Sequence, residues 1–225
     1  MKHSKININK VATLLFTALL LSACSLFDLN LQKDYNRVPH PVDANLHITA
    51  WDYLRSRSVE NNPDTVFKFM YDGIIYSGID TNEYKEAGRT FILLHNDAID
   101  RIVKKVVQPD CFFGANLVKG KPATKWSDYP KEMIRNYFEY LLLRGEFTHL
   151  KNLTTSDTLI QTLASQGAFI NNPQSLMAMK IVDASLSNTV DYPIQINDSV
   201  TVRTSDLLPT NGVIQVVDRY INPGF

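Results

Sequence analysis

The chain has 225 residues, 44% of them hydrophobic and 20% charged, with 23 basic residues against 23 acidic ones. That composition belongs to a soluble globular protein of one or two domains, large enough to bury a core without metals or disulfides. Basic residues show no strong clustering, so a nucleic-acid footprint is absent, and 11 Phe, 10 Tyr and 2 Trp exclude disorder for the bulk of the chain.

The first residues depart from this picture. MKHSKININK carries Lys2, Lys5 and Lys10 and no acid, VATLLFTALLLSA runs apolar, and Cys24 follows. A basic head, a short apolar stretch and small residues before a cut describe an export signal. The apolar run is too short for a comfortable membrane span, which needs ~20 residues. Leu21-Ser22-Ala23-Cys24 resembles the bacterial lipobox, where cleavage falls before a cysteine already carrying diacylglycerol. The other reading is an ordinary secretory signal with an incidental cysteine. On the lipobox reading residues 1–23 are removed, leaving 20 basic against 23 acidic residues. Acyl chains on Cys24 then hold the protein on a membrane. Ser25 is compatible with sorting to the outer membrane, with the surface or periplasmic side left open. Cys111 is the other cysteine and has no motif around it, which fits a small buried hydrophobe.

Residues 24–47, with Pro39 and Pro41 and no sustained periodicity, read as a tether. Leu26, Phe27 and Leu29 would also permit an arm packed on a domain that spans 48–225. Thr49 can cap a short helix over AWDYLRSR. Asn62-Pro63 pairs an N-cap residue with proline at a first helical position. Behind it Val66, Phe67, Met70, Ile74 and Ile75 recur at helical spacing. RTFILLH reads as a short buried strand. Asn96 is placed to cap a helix over DAIDRIVKKVV, with Ile99, Ile102, Val103 and Val106 as its core stripe. Asp97 and Asp100 fall on that helix's first turn, where they favour the dipole.

Residues 108–130, with three prolines and two glycines, form a long excursion. Its aromatics have two readings. Trp126 and Tyr129, beside Lys125, could stack on sugar rings and meet acidic groups, or they could cover the core, as Phe112 and Phe113 would. Pro130 opens a helix whose Met133, Ile134, Tyr137, Phe138, Leu141 and Leu142 share one face, and Gly145 is placed to stop it. From Leu150 the pattern turns to strands: TLIQTLAS, SLMAMKIVDASL, PIQIN, VTVRTS and GVIQVVDRYI. Helices first and strands second predict an α+β fold with non-local sheet pairing.

Catalytic signatures are absent from the sequence: no G-x-S-x-G, no H-E-x-x-H, no phosphate-cradling glycine loop and no paired-cysteine metal spacing. His40, His47, His95 and His149 have no mutual spacing that suggests a ligand set, and His149 reads as a surface or edge residue. Neither an enzyme nor a bound metal or cofactor is expected.

Three segments, in order, resemble the fasciclin (FAS1) family. RTFILLHNDAI is similar to its first motif through Thr90, Asn96 and Ala98. YLLLRGEFTHLKNL is similar to its central Tyr-His segment through Tyr140, Gly145, Phe147, Thr148 and Leu153. VRTSDLLPTNGVIQVVDRYI is similar to its closing motif through Asp206, Thr210, Asn211, Gly212, Val213, Ile214, Val216, Val217 and Asp218. The resemblance covers roughly 48–222 and implies a wedge of two small sheets, helices along one edge, and a last strand central to the domain. Residues 108–130 would then be an insertion. Leu94 and His95 replace the first motif's proline and threonine, Leu141 the central histidine and Gln215 the closing one. In animal relatives the central region is linked to integrin binding, and Leu141 takes that residue away, leaving Tyr140 to packing. The resemblance implies an envelope lipoprotein carrying a binding or adhesion module for a polysaccharide or a protein partner. The alternative is an accessory subunit docked on an envelope or glycan-import complex. A glycan binder should present exposed aromatics on one face; a docked subunit should expose an apolar patch.

Overall fold

In the computed structural model, which describes residues 43–59, 64–183 and 192–225, helix α1 (Ala50–Ser56) starts where Thr49 was read as its cap. The Thr49 hydroxyl accepts the Asp52 amide. The export signal, Cys24, most of the tether and the Asn62-Pro63 pair lie outside the described residues; Asp43–Phe225 is one unit.

Helix α2 (Lys68–Ser77) buries Met70 and Ile74, while Ile75, assigned to the same apolar face, is half exposed. Phe67 precedes this helix and has no side chain that can cap it. The cap comes from elsewhere: Asn96 Oδ1 accepts the Phe69 amide at 3.1 Å, and its Nδ2 donates to the Thr65 carbonyl at 2.8 Å. Asn96 therefore caps a neighbour's helix. Its own, α3 (Asn96–Ile99), is capped by His95 Nδ1, which accepts the Asp97 amide at 3.2 Å. Burial lowers the pKa of the His95 imidazole from its ordinary value, in the direction that favours this accepting role.

Helix α3 stops after four residues, where a helix through Val107 was expected. The chain instead turns into a hairpin, β2 (Ile102–Val103) and β3 (Val106–Val107), with Lys104 and Lys105 at φ +50° and +66°. Four β-branched residues favour extended backbone and resist the helix that their spacing allowed. Of the proposed core stripe Ile99 is buried, whereas Ile102, Val103 and Val106 are 61%, 39% and 60% exposed. Asp100, no longer in a first helical turn, sits at the carbonyl end of α3, and its buried Oδ1 has no partner.

Strand β1 (Arg89–Leu94) is buried along almost its whole length, as read. It lies between β4 (Leu142–Arg144), antiparallel, and β10 (Gly212–Val217), parallel, and β9 (Thr204–Leu207) completes the order β4-β1-β10-β9. The chain's last strand is thus interior. A second sheet is an antiparallel meander of β5 (Thr158–Gln161), β6 (Leu176–Ile181), β7 (Ile194–Ile196) and β8 (Val200–Thr201). The sheets join where Leu143 bridges Thr162 and the Leu163 amide donates to the Leu142 carbonyl. The observed architecture is α+β.

Helix α5 (Lys131–Tyr140) follows Pro130 and buries Ile134, Tyr137 and Phe138. It ends before Leu141, so Gly145 does not stop it. Gly145 follows β4 instead, where its carbonyl accepts the Thr90 hydroxyl at 2.9 Å. The 108–130 segment is folded into the core: helix α4 (Phe112–Ala115) sets Phe112 against Trp126, Tyr129, Tyr137, Tyr220 and Phe225. Cys111 is buried beside it. Helix α2 makes room with Gly73, where a Cβ would stand 2.6 Å from the rings of Phe138 and Trp126.

Candidate functional site

Of the residues proposed for ligand contact, Trp126 and Tyr129 are each only 5% exposed. Trp126 Nε1 donates to the Phe69 carbonyl at 2.8 Å, and the Tyr129 hydroxyl donates to the Asn116 carbonyl. Each spends its polar atom on backbone and its ring on the core, so neither offers a face to a sugar. Lys125 is exposed beside them. The sugar-stacking reading of this segment is corrected to packing, because rings this deeply buried among neighbouring aromatics have no surface left for a ligand.

The motif residues hold the fold. Asn211 Oδ1 accepts the Ala50 amide, while Nδ2 donates to the carbonyls of Tyr84 and Glu86. Its φ is not positive, so hydrogen bonding rather than turn geometry accounts for it. Gly212 approaches β1 so closely that a Cβ would overlap the Arg89 carbonyl oxygen. The Tyr140 hydroxyl donates to the Leu176 carbonyl and accepts from Asn197 Nδ2 at 2.9 Å; burial pushes it up to about 12. Asp218 pairs with Arg203 and Arg219.

The arrangement that sequence reading missed is a cleft of about 570 Å³ along β7–β9, lined among others by His149, Tyr192, Ile194, Thr201, Arg203 and Ser205. Tyr192 precedes β7, Arg203 lies in the link from β8 to β9, and His149 comes from the turn after β4, where the Thr148 amide donates to the Lys151 carbonyl. His149 Nδ1 stands 2.7 Å from Asp206 Oδ2 and Nε2 2.7 Å from the Tyr192 carbonyl oxygen. Both ring nitrogens are therefore engaged within the protein.

Asp206 is held in turn by Gln215. Its amide donates to Gln215 Oε1 at 3.0 Å, and Gln215 Nε2 donates to Asp206 Oδ1 at 2.8 Å and to the Phe147 carbonyl at 2.9 Å. The residue takes φ +57° within β9, beside the irregular β9–β10 register. This cluster is a clasp. The imidazole links the turn after β4 to Asp206 on one side and to the Tyr192 carbonyl on the other.

Tyr192 is 49% exposed and is the aromatic among the described residues that stands more than a third bare. Around it the cleft offers the Thr201 and Ser205 hydroxyls and the half-exposed Arg203 guanidinium, whose acidic neighbours Asp218 and Asp97 lie 3.5 and 4.0 Å away. A volume in this range suits a small ligand. A second, shallower cleft of about 380 Å³ contains Tyr140, Asn172, Asn197 and Asn222. Its amides are engaged: Asn172 clamps Leu176, and Asn197 bonds Tyr140 and the Asn222 carbonyl. Among the described residues no cluster of His, Cys, Asp or Glu is arranged to hold a metal ion, and no helix is long and apolar enough to cross a membrane.

Legible hints to the first cleft were slight. Tyr192 before Pro193 marks a loop aromatic at a strand start, and Thr201 and Arg203 take the polar places in the alternation of VTVRTS. No model of a known protein family matches the chain, and a search of curated proteins finds no similar sequence.

Proposed function

We propose that this protein is a cell-envelope lipoprotein whose folded unit is a fasciclin-like binding module, and that the β7–β9 cleft takes a short saccharide segment. Tyr192 would supply the stacking face, Thr201 and Ser205 hydrogen bonds, and Arg203 a contact for an acidic sugar. The observation that carries this reading is the meeting of a bare aromatic with two hydroxyls and a guanidinium in one cleft of suitable size. The lipid anchor is supported by the sequence from Lys2 to Cys24. The fasciclin assignment is supported by the two four-stranded sheets and by β10 running parallel beside β1 in the interior of the first.

A second reading, an accessory subunit docked on an envelope or glycan-import complex, draws support from Leu150, Leu159 and Ile170, which are exposed at 99%, 67% and 89%. The two part on a retention assay with immobilised polygalacturonate, alginate and neutral pullulan. The binding reading expects retention on an acidic polysaccharide, lost in Tyr192→Ala and Arg203→Ala with melting unchanged. Trp126→Ala should instead lower the melting point, costing about 3 kcal/mol as a buried aromatic. Retention that survives Tyr192→Ala would remove the cleft from the account, and no retention on any of the three would favour the docked subunit.

A further inference from the structure

We propose that the β2–β3 hairpin docks on an anionic lipid surface, its aliphatic side chains entering the headgroup layer while Lys104 and Lys105 meet lipid phosphates. Three observations carry this, and none depends on the cleft or on Cys24.

Ile102 and Val106 are 61% and 60% exposed and Val103 39%, within six consecutive residues. Among the described residues the hairpin pairs only with itself, in a two-stranded sheet, and these side chains stand exposed. Its base is fixed: the Gln108 amide donates to the Arg101 carbonyl at 2.8 Å, and Asp110 pairs with Arg101 and Arg219 at 2.8 and 3.0 Å. The tip is therefore an apolar projection on a braced stem.

The turn is built against its own preference. Both central residues have positive φ, which two-residue hairpins ordinarily fill with Asn-Gly or Asp-Gly. Here lysines occupy both places, and among the described residues neither has an acid within 4.0 Å. The tip thus carries two charged side chains in a conformation that L-residues disfavour.

Size selects the occupant. Two strands of two residues fall well short of the ~800 Å² per partner that a stable protein interface buries. A bilayer needs no such matched area: aliphatic insertion and roughly fivefold in partition for each lysine near anionic headgroups act together.

The test is vesicle flotation of a chain beginning at Asp43, which leaves out the apolar residues near Cys24. The described unit builds its core from its own residues, and a cooperative melt checks each variant. Flotation is expected with phosphatidylcholine vesicles containing phosphatidylglycerol, and not with phosphatidylcholine alone. Ile102→Asp and Val106→Asp should each reduce it roughly tenfold. Lys104→Asn with Lys105→Gly should also reduce it while relaxing the turn, so a lost fold cannot explain that loss. Leu159→Asp, an equally bare aliphatic on β5, should leave flotation unchanged. The proposal is overturned by absence of flotation, by equal flotation on both lipids, by indifference to the hairpin variants, or by an equal loss in Leu159→Asp.

Discussion

Asn211 and Gly212 show how two adjacent residues can decide whether a long-range strand pair forms. Asn211 ties α1 and the segment after Tyr84 to the start of β10 through three hydrogen bonds. Gly212 lets β10 lie against the backbone of Arg89, the first pair in a parallel register that runs to Leu94 and Val217. Removing the amide takes their partner from two buried backbone groups, the Ala50 amide and the Tyr84 carbonyl, and from the part-buried Glu86 carbonyl, so Asn211→Ala should cost about 3 kcal/mol. Gly212→Val should cost about 4 kcal/mol or more, a large part of the stability of a single domain. Urea unfolding of the two variants measures both losses, and a wild-type midpoint for Gly212→Val would contradict the close approach. An Asn-Gly pair is a common turn signal with positive φ at Asn, whereas Asn211 has no positive φ and serves as a three-way connector between segments more than a hundred positions apart.

At the scale of elements, α1, β1, α5 and β10 were legible because cap, period and burial agree. The stretch after Asn96 was not, since Ile99, Ile102, Val103 and Val106 match helical spacing while their β-branched side chains favour strand. The structure resolves this by ending α3 at Ile99, which has a consequence for Asp100. A carboxylate expected to profit from a helix N-terminus sits at the opposite end, with Oδ1 unpartnered. Desolvation raises its pKa above the ordinary value of 3.8. A carboxyl raised by folding binds its proton more tightly in the native state, so the ionised form opposes folding. The penalty is complete above the folded pKa and gone below the unfolded one. Asp100→Asn should therefore melt higher than wild type at neutral pH, with the gap closing as pH falls through the carboxyl range. A gap that widens on acidification would contradict this assignment. The 108–130 segment misled for a different reason: the partners of Phe112 include Tyr220 and Phe225, a hundred residues on, and local pattern does not reveal such pairing.

For the whole molecule, helices followed by strands sufficed to predict α+β, and the interior position of the last strand followed from the family resemblance. The cleft was not legible, because His149 and Tyr192 are 43 residues apart and meet only when the second sheet folds into its meander beside β9. The chain uses its aromatics inward, in a cluster around Phe112, and leaves Tyr192 at the cleft and the aliphatic hairpin outside. On the proposed reading, binding is separated from the fold: Tyr192, Thr201 and Arg203 can change while the β1–β10 pair and the aromatic cluster hold. The most direct measurement is amide hydrogen exchange of the protein with and without polygalacturonate fragments. The account predicts slower exchange confined to residues 192–205, with residues 112–129 unchanged. Protection centred on 112–129, or protection nowhere, would contradict it.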